Sequence, residues 1–278
     1  MEAAGLGIFM ISAGLFTTLF EYPGSLVNHL IGSALVRRSL IGLAMGITAT
    51  ALIYSAWGQQ SGAHYNPAVT LAFLRLGKVR PWDAFFYVGA QFLGGLMGVF
   101  LVSAILSERF RQPPVSYAAT LPGPAGPGIA FLAEGVISFG MMATILIVSN
   151  AKKVAHYTGA FAGLLVFAFI TMEAPLSGMS MNPARSMASA APARDWVNLW
   201  IYFTAPLLGM FLAADVNRLL RGESPVFCAK LNHETTRRCI FCGCQAWLGI
   251  GASVGRRRDS QRSCAHRRRA DCYHCVGS

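Results

Sequence analysis

The chain has 278 residues, of which 54% are hydrophobic and only 13% charged, with a mean hydropathy of +0.48. A soluble domain carries roughly 25% charged residues, so a water-soluble globular fold is excluded for most of this chain. The net charge of +11 is unevenly placed: residues 219–278 hold eleven Lys and Arg against four acidic residues, a balance of +7.

Six apolar runs, at roughly 3–20, 39–57, 82–106, 128–149, 156–174 and 195–219, are each bounded by charge, proline or glycine. About 20 mostly apolar residues carry a helix across a bilayer, so the six are predicted spans. The first has no basic n-region and no small-residue cleavage site, and it is read as a spanning helix rather than a signal peptide. After the second span comes SGAHYNPAVT, Ser61 to Thr70, leading into a short apolar stretch from Ala68 to Leu76. After the fifth comes SGMSMNPARS, Ser177 to Ser186, leading into a second stretch from Ala184 to Ala191. Both stretches are too short to cross and are predicted to be re-entrant, since irregular backbone at membrane depth survives only where protein or a wet cavity surrounds it. The basic residues beyond the last span hold that end in the cytoplasm by the positive-inside rule, and six spans return the N-terminus to the same side. Arg75, Lys78, Arg80, Lys152 and Lys153 agree with that orientation, whereas Arg37, Arg38, Arg109 and Arg111 fall on the other side.

The two Asn-Pro-Ala triplets lie 116 residues apart, each preceded by Ser-Gly at the same step, and Glu2 and Glu134 open the first span of each half. Each half reads as span, span, broken short segment, span. Three spans are an odd number, so the halves enter the membrane from opposite sides. That is an inverted repeat, whose site lies at the midplane between its halves. The predicted fold is therefore all-α and integral to the membrane: six spans plus two re-entrant half-helices in a three-plus-three inverted repeat. The membrane domain covers 1–220, with halves 1–106 and 128–219, and a basic, Cys-rich cytoplasmic tail covers 221–278.

Asparagine is a strong N-cap and proline suits the first helical turn. Asn66-Pro67-Ala68 and Asn182-Pro183-Ala184 therefore read as helix starts. A cap that uses the amide oxygen leaves the NH2 to donate to a molecule in the cavity. Each half-helix would bring roughly +0.5 of a charge to the centre. Two such ends repel cations and protons while a neutral, oxygen-bearing solute can accept from the amides.

With these motifs, the paired Glu2 and Glu134, and the glycine-rich AQFLGG of the third span, residues 1–220 resemble the aquaporin, or major intrinsic protein, family, in a bacterial-type member. The resemblance implies a passive channel for water and small neutral solutes such as glycerol, one pore per subunit, a homotetramer in the cell inner membrane, no cofactor and no enzymatic activity. It also implies a four-residue constriction ending in Arg185. Counting back from Asn182 places two more of its members at Met179 and Ile170, and counting back from Asn66 gives Gly46, or Met45 with a one-residue shift. The family's water-selective members carry a histidine in the fifth span, absent here, which leaves soft walls. Its glycerol-conducting members usually have aspartate where this chain has Ser186. Glu2 and Glu134 are expected to support the re-entrant loops, and His64 to line the cytoplasmic mouth.

All seven cysteines lie in the tail and are expected to be reduced in the cytoplasm. Cys228, His233, Cys239 and Cys242 are candidates for a metal site, against a disordered basic tail lying on anionic lipid. The tail is read as the second of these, without metal and without nucleic acid. A secondary transporter is the alternative class, but it needs ionisable coupling groups at the midplane, and none stands near Asn66 or Asn182. A membrane enzyme would need an acid–base pair or metal cluster that the spans do not supply.

Overall fold

The structure is a computed structural model that describes residues 1–151, 153–221, 226–232, 235 and 239–241. Every regular element among the described residues is helical. Six long helices span: α1 (Glu2–Glu21), α2 (Ala34–Tyr54), α4 (Pro81–Leu106), α5 (Pro127–Ser149), α6 (Thr158–Met172) and α8 (Leu199–Arg221). Two short ones, α3 (Pro67–Arg75) and α7 (Pro183–Ala193), are the half-helices. The spans agree with the hydropathy runs to within two residues except in the sixth, which begins at Leu199 rather than at 195, and in the second, which begins at Ala34 and ends at Tyr54 instead of covering 39–57. Its start is set by Ser33, whose Oγ accepts from Val36 N at 3.4 Å, so the polar Arg37-Arg38-Ser39 belongs to the helix. Its end is set by Ser55, which leaves the helix in extended geometry and caps the following turn, Ala56–Ser61.

Three seams assemble the bundle, α1 on α4, α2 on α6 and α5 on α8. Each closes at glycine. A Cβ on Gly98 would meet Gly7 O at 2.5 Å and one on Gly46 would meet Gly163 O at 2.5 Å, while Gly209 abuts the Gly135 carbonyl. Small residues let backbones approach, the packing that substitutes for a hydrophobic drive inside lipid. The outer faces stay apolar and uncovered by protein: Phe85, Phe86, Leu93 and Met97 on α4 are each more than 60% exposed. Trp82 and Trp200, near the starts of α4 and α8, suit the aromatic belts at the membrane interfaces.

The half-helices begin where the asparagines cap them. Asn66 is extended (φ −155°) and its Oδ1 accepts from Ala68 N at 2.8 Å; Asn182 (φ −147°) accepts from Ala184 N at 3.0 Å and Arg185 N at 3.2 Å. Pro67 and Pro183 occupy the first helical position, where a missing N–H costs nothing.

Part of the tail is ordered against the bundle. Residues 226–232 with Thr235, Cys239 and Phe241 pack on the end of the bundle, and Ala229, Lys230 and Leu231 are at most 4% exposed. The physical reason is apolar side chains, Val226, Ala229 and Leu231, that join the core of the membrane domain. His233, Cys242, Lys152 and everything from residue 242 onward lie outside the described residues.

Candidate functional site

Two buried carboxylates hold two loops of the same shape. Glu2 Oε1 accepts from Ser61 Oγ at 2.6 Å, and its Oε2 accepts from Tyr65 N at 2.6 Å and Gln91 Nε2 at 2.8 Å. Glu134 Oε1 accepts from Ser177 Oγ and Ser180 N, both at 2.7 Å, and its Oε2 from Met181 N at 2.7 Å. The hydroxyls of Tyr87 and Tyr202 donate to the carbonyls of Ser61 (2.6 Å) and Ser177 (2.5 Å). Backbone conformation repeats as well: Gly62, Ala63 and Tyr65 have positive φ, and so do Gly178, Met179 and Met181. A left-handed residue with a Cβ costs about 1–2 kcal/mol. The charge-assisted bonds, each worth about 1.5–3 kcal/mol, offset that strain.

These loops aim the asparagines across the repeat boundary. Asn66 Nδ2 donates to Met181 O at 2.7 Å, and Asn182 Nδ2 donates to Tyr65 O at 2.8 Å. The expectation of an amide NH2 wholly given to the cavity is corrected here. One of its two hydrogens bonds the opposite loop, because each Met181 and Tyr65 carbonyl would otherwise be buried without a donor. The second hydrogen of each amide remains for the cavity, which both asparagines line.

The cavity has a volume of about 500 Å³. One stripe of each of four spans walls it: Leu6, Phe9, Ala13, Thr17 and Glu21 from α1; Arg38, Ile41, Met45, Ala49 and Leu52 from α2; Met141 and Ile145 from α5; Ala162, Val166 and Ile170 from α6. Spacings of three and four place each set on one helix face. At one end stand Glu21 and Arg38, neither of them read from the sequence as a lining residue; Arg38 Nε donates to Thr171 O at 2.7 Å. At the other stand His64 and Leu231.

Met45, Ile170, Met179 and Arg185 all line this space, together with Asn66, Asn182 and His64. Gly46 does not, and its candidacy is corrected: it faces the Gly163 carbonyl in the α2–α6 seam, where a side chain has no room. Pro67, Ala68, Pro183 and Ala184 start the half-helices without lining the cavity, and Ala68 and Ala184 are fully buried. Arg185 Nη1 is buried with no hydrogen-bond partner in the protein, so its donors are available to whatever enters. Ser186 sits outside the lining, bonded to Thr120 Oγ1 at 2.7 Å and Ser180 Oγ at 2.6 Å.

His64 is 4% exposed. Its Nε2 lies 2.7 Å from Ala229 O, and because a carbonyl only accepts, the proton is on Nε2. Its Nδ1 lies 3.1 Å from Thr70 Oγ1, and its ring is stacked between Phe73 and Phe241. Of the tail's metal candidates, Cys228 and Cys239 are described and buried, with their sulfurs 3.3 Å apart. No group of three or more His, Cys, Asp or Glu able to hold a metal occurs among the described residues.

The family model described as "Major intrinsic protein" matches residues 6–216. Among its relatives, "Aquaporin NIP2-3" of Zea mays is 35% identical over 230 residues, covering 81% of this chain and 73% of its own. "Glycerol uptake facilitator protein-like 6" of Lactiplantibacillus plantarum is 33% identical over 218 residues, covering 74% of this chain and 98% of its own. The crystal structure of the aquaglyceroporin from Plasmodium falciparum superposes with a TM-score of 0.65 at 18% identity, over 78% of this chain and 92% of that one, a likeness of fold.

Proposed function

With this chain a member of the major intrinsic protein family, we propose that it is a passive transmembrane channel for water and small neutral solutes such as glycerol, filtered by Met45, Ile170, Met179 and Arg185. The observation that carries the reading is the pair of crossed asparagines on one cavity, each capping a half-helix that starts there. Two helix N-termini bring roughly +0.5 of a charge each, and Arg185 adds a full one. A proton or metal cation meets that field unshielded by water, whereas a neutral hydroxyl accepts hydrogen bonds from the same groups.

The filter's composition bears on which solutes pass. Three of its walls are thioether or hydrocarbon and one is a guanidinium, so a solute is bonded on one side and wetted by apolar surface on the other. Glycerol, with hydroxyls along one edge and carbons along the other, fits that division. Water uses only the guanidinium edge.

The same reading has residues 1–220 as the channel domain, in a homotetramer with a pore in each subunit, in the cell inner membrane. It has both termini in the cytoplasm, an orientation favoured by the eleven Lys and Arg of residues 219–278. It assigns the chain no chemical step. Stopped-flow light scattering on proteoliposomes tests the channel, with an osmotic shock for water and a glycerol gradient beside it, on the whole chain and on a chain ending at Arg221. Flux that scales linearly with the gradient, without saturation or ion coupling, is expected. Arg185→Ala should raise proton leak. No solute flux from either form would overturn the reading, and saturable, ion-dependent flux would favour a carrier.

A further inference from the structure

We propose that residues 226–232, with Thr235, Cys239 and Phe241, form a plug, built into the chain, that seats in the His64 end of the cavity and closes it. The closure rests on the channel reading, whereas the seating stands on contacts alone.

By topology the plug is on the right side. Helix α1 starts and α8 ends at the same membrane face, and α2 returns to that face before the first re-entrant loop. The segment that follows Arg221 is therefore next to the loop that carries His64. It is anchored there by backbone bonds in the manner of a ligand. Leu231 N donates to Gly62 O at 3.1 Å, and Ala229 O accepts from His64 Nε2 at 2.7 Å. Phe227 N donates to Asn150 Oδ1 at 2.8 Å, tying the segment to the end of α5 as well.

Side chains then fill the opening. Leu231 projects into the cavity lining, and Phe241 covers His64 with its ring parallel (6°) at 5.6 Å while also meeting Tyr87 at 5.9 Å. An open channel mouth would leave His64, Gly62 and Tyr87 facing water. Instead His64 is buried by the tail, and the first re-entrant loop has its exposed carbonyl taken by Leu231. The segment holds its own shape through Lys230, 2% exposed, whose Nζ donates to Thr235 Oγ1 at 2.8 Å. Nothing in a membrane helix bundle requires a basic residue to be buried at its mouth. Docking of a preshaped segment accounts for it.

The two described cysteines supply a readout independent of flux. Cys228 is 7% and Cys239 1% exposed with the segment seated, so their thiols are shielded only while it stays seated. The experiment uses the full chain with Cys242, Cys244, Cys264, Cys272 and Cys275 replaced by serine. A water-soluble maleimide is added and labelling is timed by mass. The same chain carrying Leu231→Asp or, separately, Phe241→Ala is compared, with the exposed Ile240→Ala as control. A minor open state populated at roughly 10% or less predicts labelling at least about tenfold faster in the two plug variants than in the parent. Osmotic water flux in proteoliposomes should rise by about the same factor, with Ile240→Ala changing neither. Prompt labelling of both thiols in the parent overturns the plug, as does parent flux equal to that of Leu231→Asp. If no variant conducts, the channel reading fails, and the maleimide rates still decide whether the segment is seated.

Discussion

Asn182 reaches across the molecule to Tyr65: its Nδ2 donates to the Tyr65 carbonyl at 2.8 Å while its Oδ1 caps α7. Asn66 does the same toward Met181. Each half therefore completes the loop of the other, and the two asparagines should behave as a coupled pair. Loss of an N-cap costs about 1 kcal/mol and loss of a buried hydrogen bond about another. Asn66→Ala should destabilise by about 2 kcal/mol and Asn182→Ala by more, since its oxygen serves two N–H groups rather than one. Thermal unfolding in detergent checks this, and the double variant should fall short of the sum.

Glu134 accepts three donors and offers none. Glu134→Gln places an amide NH2 against at least one backbone N–H of Ser180 or Met181. With hydrogen bonds to a charged group worth about 1.5–3 kcal/mol each, a loss of about 3 kcal/mol is expected. Glu2→Gln should cost less, because its NH2 can face the Ser61 hydroxyl, which can accept, and leave its oxygen to Tyr65 N and Gln91 Nε2. Ranking the two variants by melting temperature tests the difference.

Met45 and Gly46 are neighbours with opposite fates. Gly46→Ala drives a methyl group to 2.5 Å from the Gly163 carbonyl, so the α2–α6 seam must part, at an overpacking cost of about 1–3 kcal/mol. Met45→Ala removes a lining side chain without touching the seam, and it should raise the glycerol-to-water flux ratio by about threefold to tenfold. If Gly46→Ala shifts that ratio while leaving stability intact, the assignment of the second-span wall is reversed.

Ser186 is bonded away from the cavity, to Thr120 and Ser180. Ser186→Ala should therefore lower stability by about 1–3 kcal/mol, for the partners left unsatisfied, with the solute ratio unchanged. Side-by-side melting and flux measurements on the one variant separate the two effects.

Much of this architecture is legible in the chain itself. Lipid demands long apolar runs, and the paired Asn-Pro-Ala triplets with their Ser-Gly steps mark the half-helices locally. The register of α2 is another matter. Counting back from Asn66 passes through the break at Ser55 and the extra turn Ala56–Ser61, and one residue of slip rotates a helix face by about 100°. Only the packing of Gly46 on Gly163 decides it. Arg38 reads as a loop cation until Ser33 is seen to start the helix before it. The asparagine NH2 bonds and the docking of Ala229 on His64 join residues more than 100 positions apart, with no local pattern to announce them. The tail's basic composition argues for disorder, and its few apolar side chains, Val226, Ala229 and Leu231, carry too little weight in a composition to contradict that.

The glycine seams have a consequence for how this protein can vary. At Gly7–Gly98, Gly46–Gly163 and Gly135–Gly209 the helices touch main chain to main chain, so the spacing of the bundle is set by atoms every residue shares. Side chains that line the bore take no part in those contacts. A methionine can be exchanged for an alanine or a phenylalanine without moving the frame, whereas a single methyl group on a seam displaces a whole helix. Frame and lining are thus separately mutable, and a lineage can retune what it transports one residue at a time while inheriting its dimensions unchanged.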